Sequence, residues 1–230
     1  MAGASGYGRA QKVAAAPSGT GGSLYFNGTA AANLSIANDV DLRFGTGDFT
    51  VEWFQYMITG NANPRIFSIG TYASASIACS IESNDAYLYA WISGANAMTT
   101  SFSSNLNKWV HVAFCRSGTS FRCFVDGVQV GSTLTNSTNF SDTTNALRIG
   151  NETSTTVGSA YKGYLTNFRW TKGTARYTAN FTKPTAQLTA DANTRLLLLA
   201  ASSGAATTDS SSSAKTVINN GATWNSLTPF

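Results

Sequence analysis

The chain has 230 residues, enough for one β-rich domain and for two only if both are small. Charged residues make up 11% of it, against roughly 25% in an ordinary soluble protein, while 43% is hydrophobic and 12% aromatic, which excludes intrinsic disorder for the bulk of the chain. The formal charge is only +4, with no run of adjacent basic residues, so the clustered phosphate contacts of a nucleic-acid binder are not expected.

In chain order, residues 1–22 come first, and they are Gly, Ala and Ser with Tyr7, Arg9 and Lys12 among them. Nothing there buries enough apolar area to order itself, so a flexible arm is expected. No apolar segment of signal-peptide length occurs in it, and the longest strongly apolar run, 196–201, is too short to cross a bilayer. From Ser23 onward short apolar runs alternate with turn clusters. Strands are predicted over 23–26, 49–57, 65–69, 86–92, 109–116, 121–126, 146–149, 161–170, 195–199 and 215–219. Turns fall at Thr59-Gly60-Asn61, Ser93-Gly94-Ala95, Ser117-Gly118 and Asp126-Gly127, the last able to supply the φ > 0 positions of a tight hairpin. No segment keeps a 3.6-residue period, so residues 23–230 read as an all-β, two-sheet antiparallel sandwich with little helix. Trp53, Trp109, Phe114, Phe124, Val125, Leu147, Ile149 and Phe168 are expected in the core. Cys115 and Cys123 flank a turn, so a cross-strand disulfide or free thiols would both fit, with Cys79 left over. Lys162, Arg169, Lys172, Arg176 and Lys183 form a locally basic stretch, either a solvated surface or a contact with an acidic neighbour.

Several ordered motifs carry a resemblance. GTGDFTVEWF (45–54), WVHVA (109–113), FVDG (124–127) and LRIG (147–150) resemble laminin-G-like domains of the concanavalin A-like lectin/glucanase superfamily. YKGYLTNFR (161–169), TKGTARY (171–177), FTKP (181–184), NTRLLL (193–198) and the Pro229-Phe230 ending are similar to the version found in structural proteins of tailed bacteriophages, marine ones especially. The resemblance implies a jelly-roll sandwich over about 22–230, its first strand beside a last one around 223–227, in a virion structural or decoration protein made in the host cytoplasm. Its partners would be capsid or tail subunits, gripped by the arm through Tyr7, Arg9 and Lys12. The alternative is a glycan- or receptor-binding module of a fibre.

The superfamily includes glucanases, whose chemistry depends on paired carboxylates. A retaining glycosidase needs two about 5 Å apart, which on a strand means i and i+2 or i+4. Glu52 has Phe54 and Tyr56 at those offsets, Glu82 and Asp85 straddle a turn, and Asp39 and Asp41 lie in a loop-like segment. Catalysis is therefore not expected, and the single histidine, His111 between two valines, reads as structural. No cofactor is expected. Calcium, the one ion the relatives suggest, would draw on Asp48, Asp126, Asp142 or Asp209, with Asp142 and Asp209 the isolated acids of Ser/Thr loops. Glycan stacking would use exposed aromatics: Tyr72, Tyr87, Tyr89, Trp91 and Trp170 are candidates, with Tyr72, Tyr89 and Trp91 foremost.

Overall fold

The computed structural model describes residues 21–58, 62–71, 77–82, 85–152 and 159–230. Tyr7, Arg9, Lys12 and Tyr72 lie outside the described residues. The strands are β1 (Ser23–Asn27), β2 (Leu34–Ile36), β3 (Phe49–Met57), β4 (Arg65–Ile69), β5 (Ile77–Glu82), β6 (Tyr87–Ile92), β7 (Ala95–Ser101) and β8 (Trp109–Ser117). They continue with β9 (Ser120–Val125), β10 (Val128–Thr135), β11 (Leu147–Ile149), β12 (Lys162–Lys172), β13 (Thr194–Leu198), β14 (Val217–Asn219) and β15 (Thr223–Asn225). Two antiparallel sheets result, and the protein is the all-β sandwich that its composition and turn spacing predict. Sheet one runs β10-β9-β8-β3-β12-β1-β15, with β13 also on β12; sheet two runs β14-β2-β11-β4-β5-β6-β7.

Alternation along each strand builds the core. In β3, Phe49, Val51, Trp53 and Met57 face sheet two, and Thr50, Glu52, Phe54 and Tyr56 face the other way. Trp53 stands edge-on to Phe67 at 5.6 Å and to Phe114 at 5.7 Å, and its Nε1 donates to Gln55 Oε1 at 2.6 Å. The first and last strands meet as expected: Leu24 of β1 pairs with Trp224 of β15. The Asp126-Gly127 hairpin has φ of 49° and 83°, the mirror-image turn that only small or Asx residues adopt cheaply. Gly127 has a second reason to be glycine, since a Cβ there would meet the carbonyl oxygen of Phe181 at 2.0 Å.

Phe181 belongs to residues 173–193, which cross the outer face of sheet one as a strap. The Gly173 amide donates to Asp48 O, the Phe181 amide to Gly127 O, and the Leu188 amide to Asn167 Oδ1. Beneath it Phe124, Ala113 and Cys115 are buried on the outer side, with Tyr177 and Phe181 packed over them. The two-sided apolar pattern of β8 is thus explained by a sheet covered on both faces.

Two expectations are corrected. Trp109 is half-buried rather than core: it faces outward beyond the strap, in a cross-strand row Tyr25, Tyr164, Tyr56, Trp109 with neighbouring ring centroids 5.0, 5.9 and 5.9 Å apart. Trp170 is fully buried, parallel to Phe44 at 4.5 Å, and so unavailable for stacking on a sugar. Of the two cysteine readings, free thiols are the one observed, at Cys115 and Cys123 as at Cys79. Cys115 pairs with Arg122 and Cys123 with Phe114, an odd offset that points the two thiols to opposite faces of the sheet. Burial pushes the Cys115 thiol up to about 12, so it has little thiolate character. Beyond those corrections, β2, β5, β7 and β10 add to the predicted strands. The edge strands β7 (ANAMTTS) and β10 (VQVGSTLT) are too polar and exposed to announce themselves by alternation.

Candidate functional site

The most deeply buried charged cluster lies on sheet one. Glu52, central in β3, sits under the strap with no exposed surface. Its Oε1 accepts from Arg169 Nε at 2.9 Å and Nη2 at 2.6 Å. Its Oε2 lies 3.0 Å from His111 Nε2 and accepts from the Tyr177 hydroxyl at 2.9 Å. These residues come from three adjacent strands and the strap. A bulge in β12 between Thr166 and Arg169, with Asn167 at φ 52°, turns Arg169 outward beside Glu52 while Leu165 and Phe168 both face the core. Burial pushes the Glu52 carboxyl up, but the hydrogen bond from His111 and the charge of Arg169 outweigh it and hold the group below its ordinary value. The same burial and the carboxylate beside it push the Tyr177 phenol up. Closed from solvent and saturated with donors, the cluster clamps the strap to the sheet and offers no path for a substrate.

The outer face of sheet two is different. On β6, Tyr87, Tyr89 and Trp91 alternate with the core residues Leu88, Ala90 and Ile92 and share the outward side. Tyr89 and Trp91 have centroids 6.1 Å apart and planes within 20° of each other, and Tyr87 follows at 6.4 Å, edge-on. Tyr87 is 43% exposed, and the other two are half-buried. A polar bed holds this strip in place. Trp91 Nε1 donates to Ser80 Oγ at 2.8 Å and to Glu82 Oε1 at 3.2 Å, and the Arg65 guanidinium lies 5.8 Å from the Trp91 ring centre. Arg65 Nη1 donates to Glu82 Oε1 at 2.7 Å, and its Nε stands 3.6 Å from Glu152 Oε2. Ser159 Oγ donates to Glu152 in turn. Two carboxylates thus approach a single arginine from β5 and from the segment after β11. They are 70 positions apart in sequence, and nothing in local spacing points to Arg65, Ser80 or Glu152. An indole edge fixed by two acceptors is a rigid, oriented ring suited to the C–H face of a sugar.

The other candidates are placed as follows. Tyr89 and Trp91 are brought together, joined by Tyr87. Asp142 accepts from the Thr144 and Asn145 amides, each at 2.8 Å. Partial burial pushes its carboxyl up, and those hydrogen bonds pull it below the usual range. Asp209 accepts from the Leu197, Ser211 and Lys215 amides at 2.9, 2.9 and 2.8 Å, tying β13 to the loop that follows. Asp48 accepts from the Gly118 amide and Asp126 from the His111 amide, and Asp126 also pairs with Lys183 at 2.8 Å. All four carboxylates are turned toward N–H groups that organise their loops, and a calcium ion would have to displace those donors. Of the basic stretch, Arg169 and Arg176 serve the strap, with Arg176 joined to Asp191, and Lys183 ties the strap to the β9–β10 turn.

The chain is similar in fold to a proposed carbohydrate binding protein from Bacteroides ovatus, with TM-score 0.69 and 18% identity over 92% of this chain; the chain spans 61% of that protein. It is also similar to a heptameric SAP-like pentraxin from Limulus polyphemus, with TM-score 0.52 and 15% identity over 71% of this chain and 79% of that one. No curated protein matches the sequence at a significant level. Residues 33–179, more than half of the chain, match the laminin G-like family described as the Concanavalin A-like lectin/glucanases superfamily, and the protein belongs to that superfamily.

Proposed function

We propose that the protein is a non-catalytic glycan-binding sandwich carried on the particle of a tailed bacteriophage. The observation that carries the glycan reading is the strip of Tyr87, Tyr89 and Trp91 on the open face of sheet two, with the Trp91 indole fixed by Ser80 and Glu82. The like-folded Bacteroides ovatus protein is described as carbohydrate binding, and the same role is proposed here. No bound metal or cofactor enters the reading. Absence of catalysis rests on the environment of the carboxylates, since Glu52 is sealed under the strap and Glu82 and Glu152 share Arg65. A glycan array followed by titration of the best ligand tests it. Trp91→Ala is expected to weaken binding at least about ten-fold, the equivalent of about 1.4 kcal/mol, with the circular dichroism spectrum unchanged. Silence across the array, or release of new reducing ends from a bound polysaccharide, would sink the glycan-binding or the non-catalytic reading respectively.

The virion setting rests on the resemblance of residues 161–230 to phage structural proteins. In that setting the chain is made in the host cytoplasm and joins capsid or tail subunits through the arm, residues 1–22, with Tyr7 as apolar anchor and Arg9 and Lys12 as charges. The sandwich then faces outward toward host surface glycans, with no role for nucleic acid or membrane. Removal of residues 1–20 is expected to leave a soluble sandwich that no longer joins purified particles. Incorporation at full occupancy would transfer the attachment role to the sandwich surface.

A further inference from the structure

Among the described residues the outer face of sheet two holds two arginines, and each is bonded to a neighbouring side chain. Arg65 is 4% exposed and lies between Glu82 and Glu152. Arg148, on β11, donates from Nη1 to Asn33 Oδ1 at 2.9 Å, and Asn33 also accepts from Asn220. Read from the sequence, the connections β3–β4, β4–β5, β5–β6 and β6–β7 contain one charged residue, Asp85, which is buried. Strands β7 and β10 contain none.

Beside the aromatic strip the face continues across the edge strand β7. Thr99 pairs with Tyr89 in the ladder and so points to the same side. It also lines a cleft of about 240 Å3 between β7, the last strand of sheet two, and β10, the last of sheet one. The cleft walls carry the hydroxyl-bearing residues Thr99, Ser132 and Thr133, while Met98 and Leu134 pack against the core below. The strip and the cleft together offer ring faces, hydroxyls and backbone carbonyls. Among the described residues the cation beside the strip, Arg65, already lies between Glu82 and Glu152, and an anionic group brought out of water there without compensation is costly.

We infer that the ligand is an uncharged glycan, stacked on Tyr89 and Trp91, whose chain crosses Thr99 and seats a further sugar in the cleft between β7 and β10. This rests on the glycan-binding reading and adds the ligand's class and the direction of its chain. Sugar rings without carboxylate or sulfate match both parts, with C–H faces for the aromatics and hydroxyl edges for Thr99, Ser132 and Thr133.

The test is calorimetric titration of the full chain with neutral hexaoses (laminarihexaose, cellohexaose, agarohexaose) and with acidic hexamers (oligomannuronate and a sulfated carrageenan oligomer), each at low and high salt. A neutral hexaose is expected to bind at least about ten-fold more tightly than either acidic one. Its affinity should change less than about two-fold with salt, because no ion pair is made for salt to screen. Ser132→Trp, a substitution at an exposed position that fills the cleft, should remove the advantage of the hexaose over the matching triose. Acidic hexamers binding as tightly as neutral ones, in a manner lost with Trp91→Ala, would overturn the uncharged class while the glycan-binding reading stands. An intact hexaose advantage in Ser132→Trp would overturn the cleft. No binding by any hexamer would overturn the inference together with the reading beneath it.

Discussion

Replacing Glu52 by alanine is expected to cost about 3–5 kcal/mol of unfolding free energy, the range found when one partner of a buried ion pair is removed. The whole cluster would not be lost, and that is why the effect is large. Arg169 stays 6% exposed with its Nε and Nη2 turned toward an empty site, while His111 and the Tyr177 hydroxyl lose their acceptor. Because Tyr177 stacks on Phe181 at 3.5 Å, the strap should loosen with it. Glu52→Gln keeps the shape and is expected to cost less. The same carboxylate shapes the acid limb of the stability curve. Its folded value lies below the ordinary 4.5, so its contribution is full above about pH 5 and is lost as the pH falls through the lower folded value. Asp191 acts in the same sense: partial burial opposes ionisation, but the hydrogen bond from Arg176 outweighs it. Urea titrations from pH 3 to 8 should show a plateau and then a fall at acid pH, with a shallower fall in Glu52→Gln. A Glu52→Ala cost under about 1 kcal/mol would mean that the strap alone holds this face.

Trp53→Ala is expected to cost about 3–5 kcal/mol by leaving a large cavity between the sheets. The ring is fully buried among Phe67, Phe114 and Phe168, and its loss also strips Gln55 Oε1 of a donor. Trp109→Ala serves as the internal comparison. Trp109 is half-buried against Tyr56, so about 2 kcal/mol or less is expected from lost area and aromatic contact. Equal costs for the two tryptophans in the same urea titration would contradict the assignment of opposite faces.

The two tryptophans illustrate what a sequence can and cannot convey. Both open or occupy strongly apolar strands, and alternation along β3 or β8 separates their two faces. Alternation does not tell which face meets the second sheet when the other is covered as well. On sheet one the strap buries Phe124, Ala113 and Cys115 on the outer side, so apolar residues mark both faces and Trp109 looks like core. The Asp126-Gly127 turn was legible because its chemistry is local: two adjacent residues take φ > 0. The pairing of the first and last strands was legible only through family resemblance, and β7 and β10 were not legible because a polar, exposed edge strand carries no apolar alternation.

By itself the sequence determined the class of the protein. Low charge, abundant aromatics, period-two runs and Gly- or Asx-bearing turns leave an antiparallel sandwich as the way to bury this chain, and Tyr89 and Trp91 at i and i+2 already shared a face wherever β6 was placed. Tertiary structure alone decided which charges meet. Glu52 finds Arg169 117 positions away, and Glu152 finds Arg65 across sheet two. Strand order and the β12 bulge set those encounters, and neither is written in the spacing of the residues involved. The cleft beside Thr99 has the same origin, since it exists only where the edge of one sheet approaches the edge of the other.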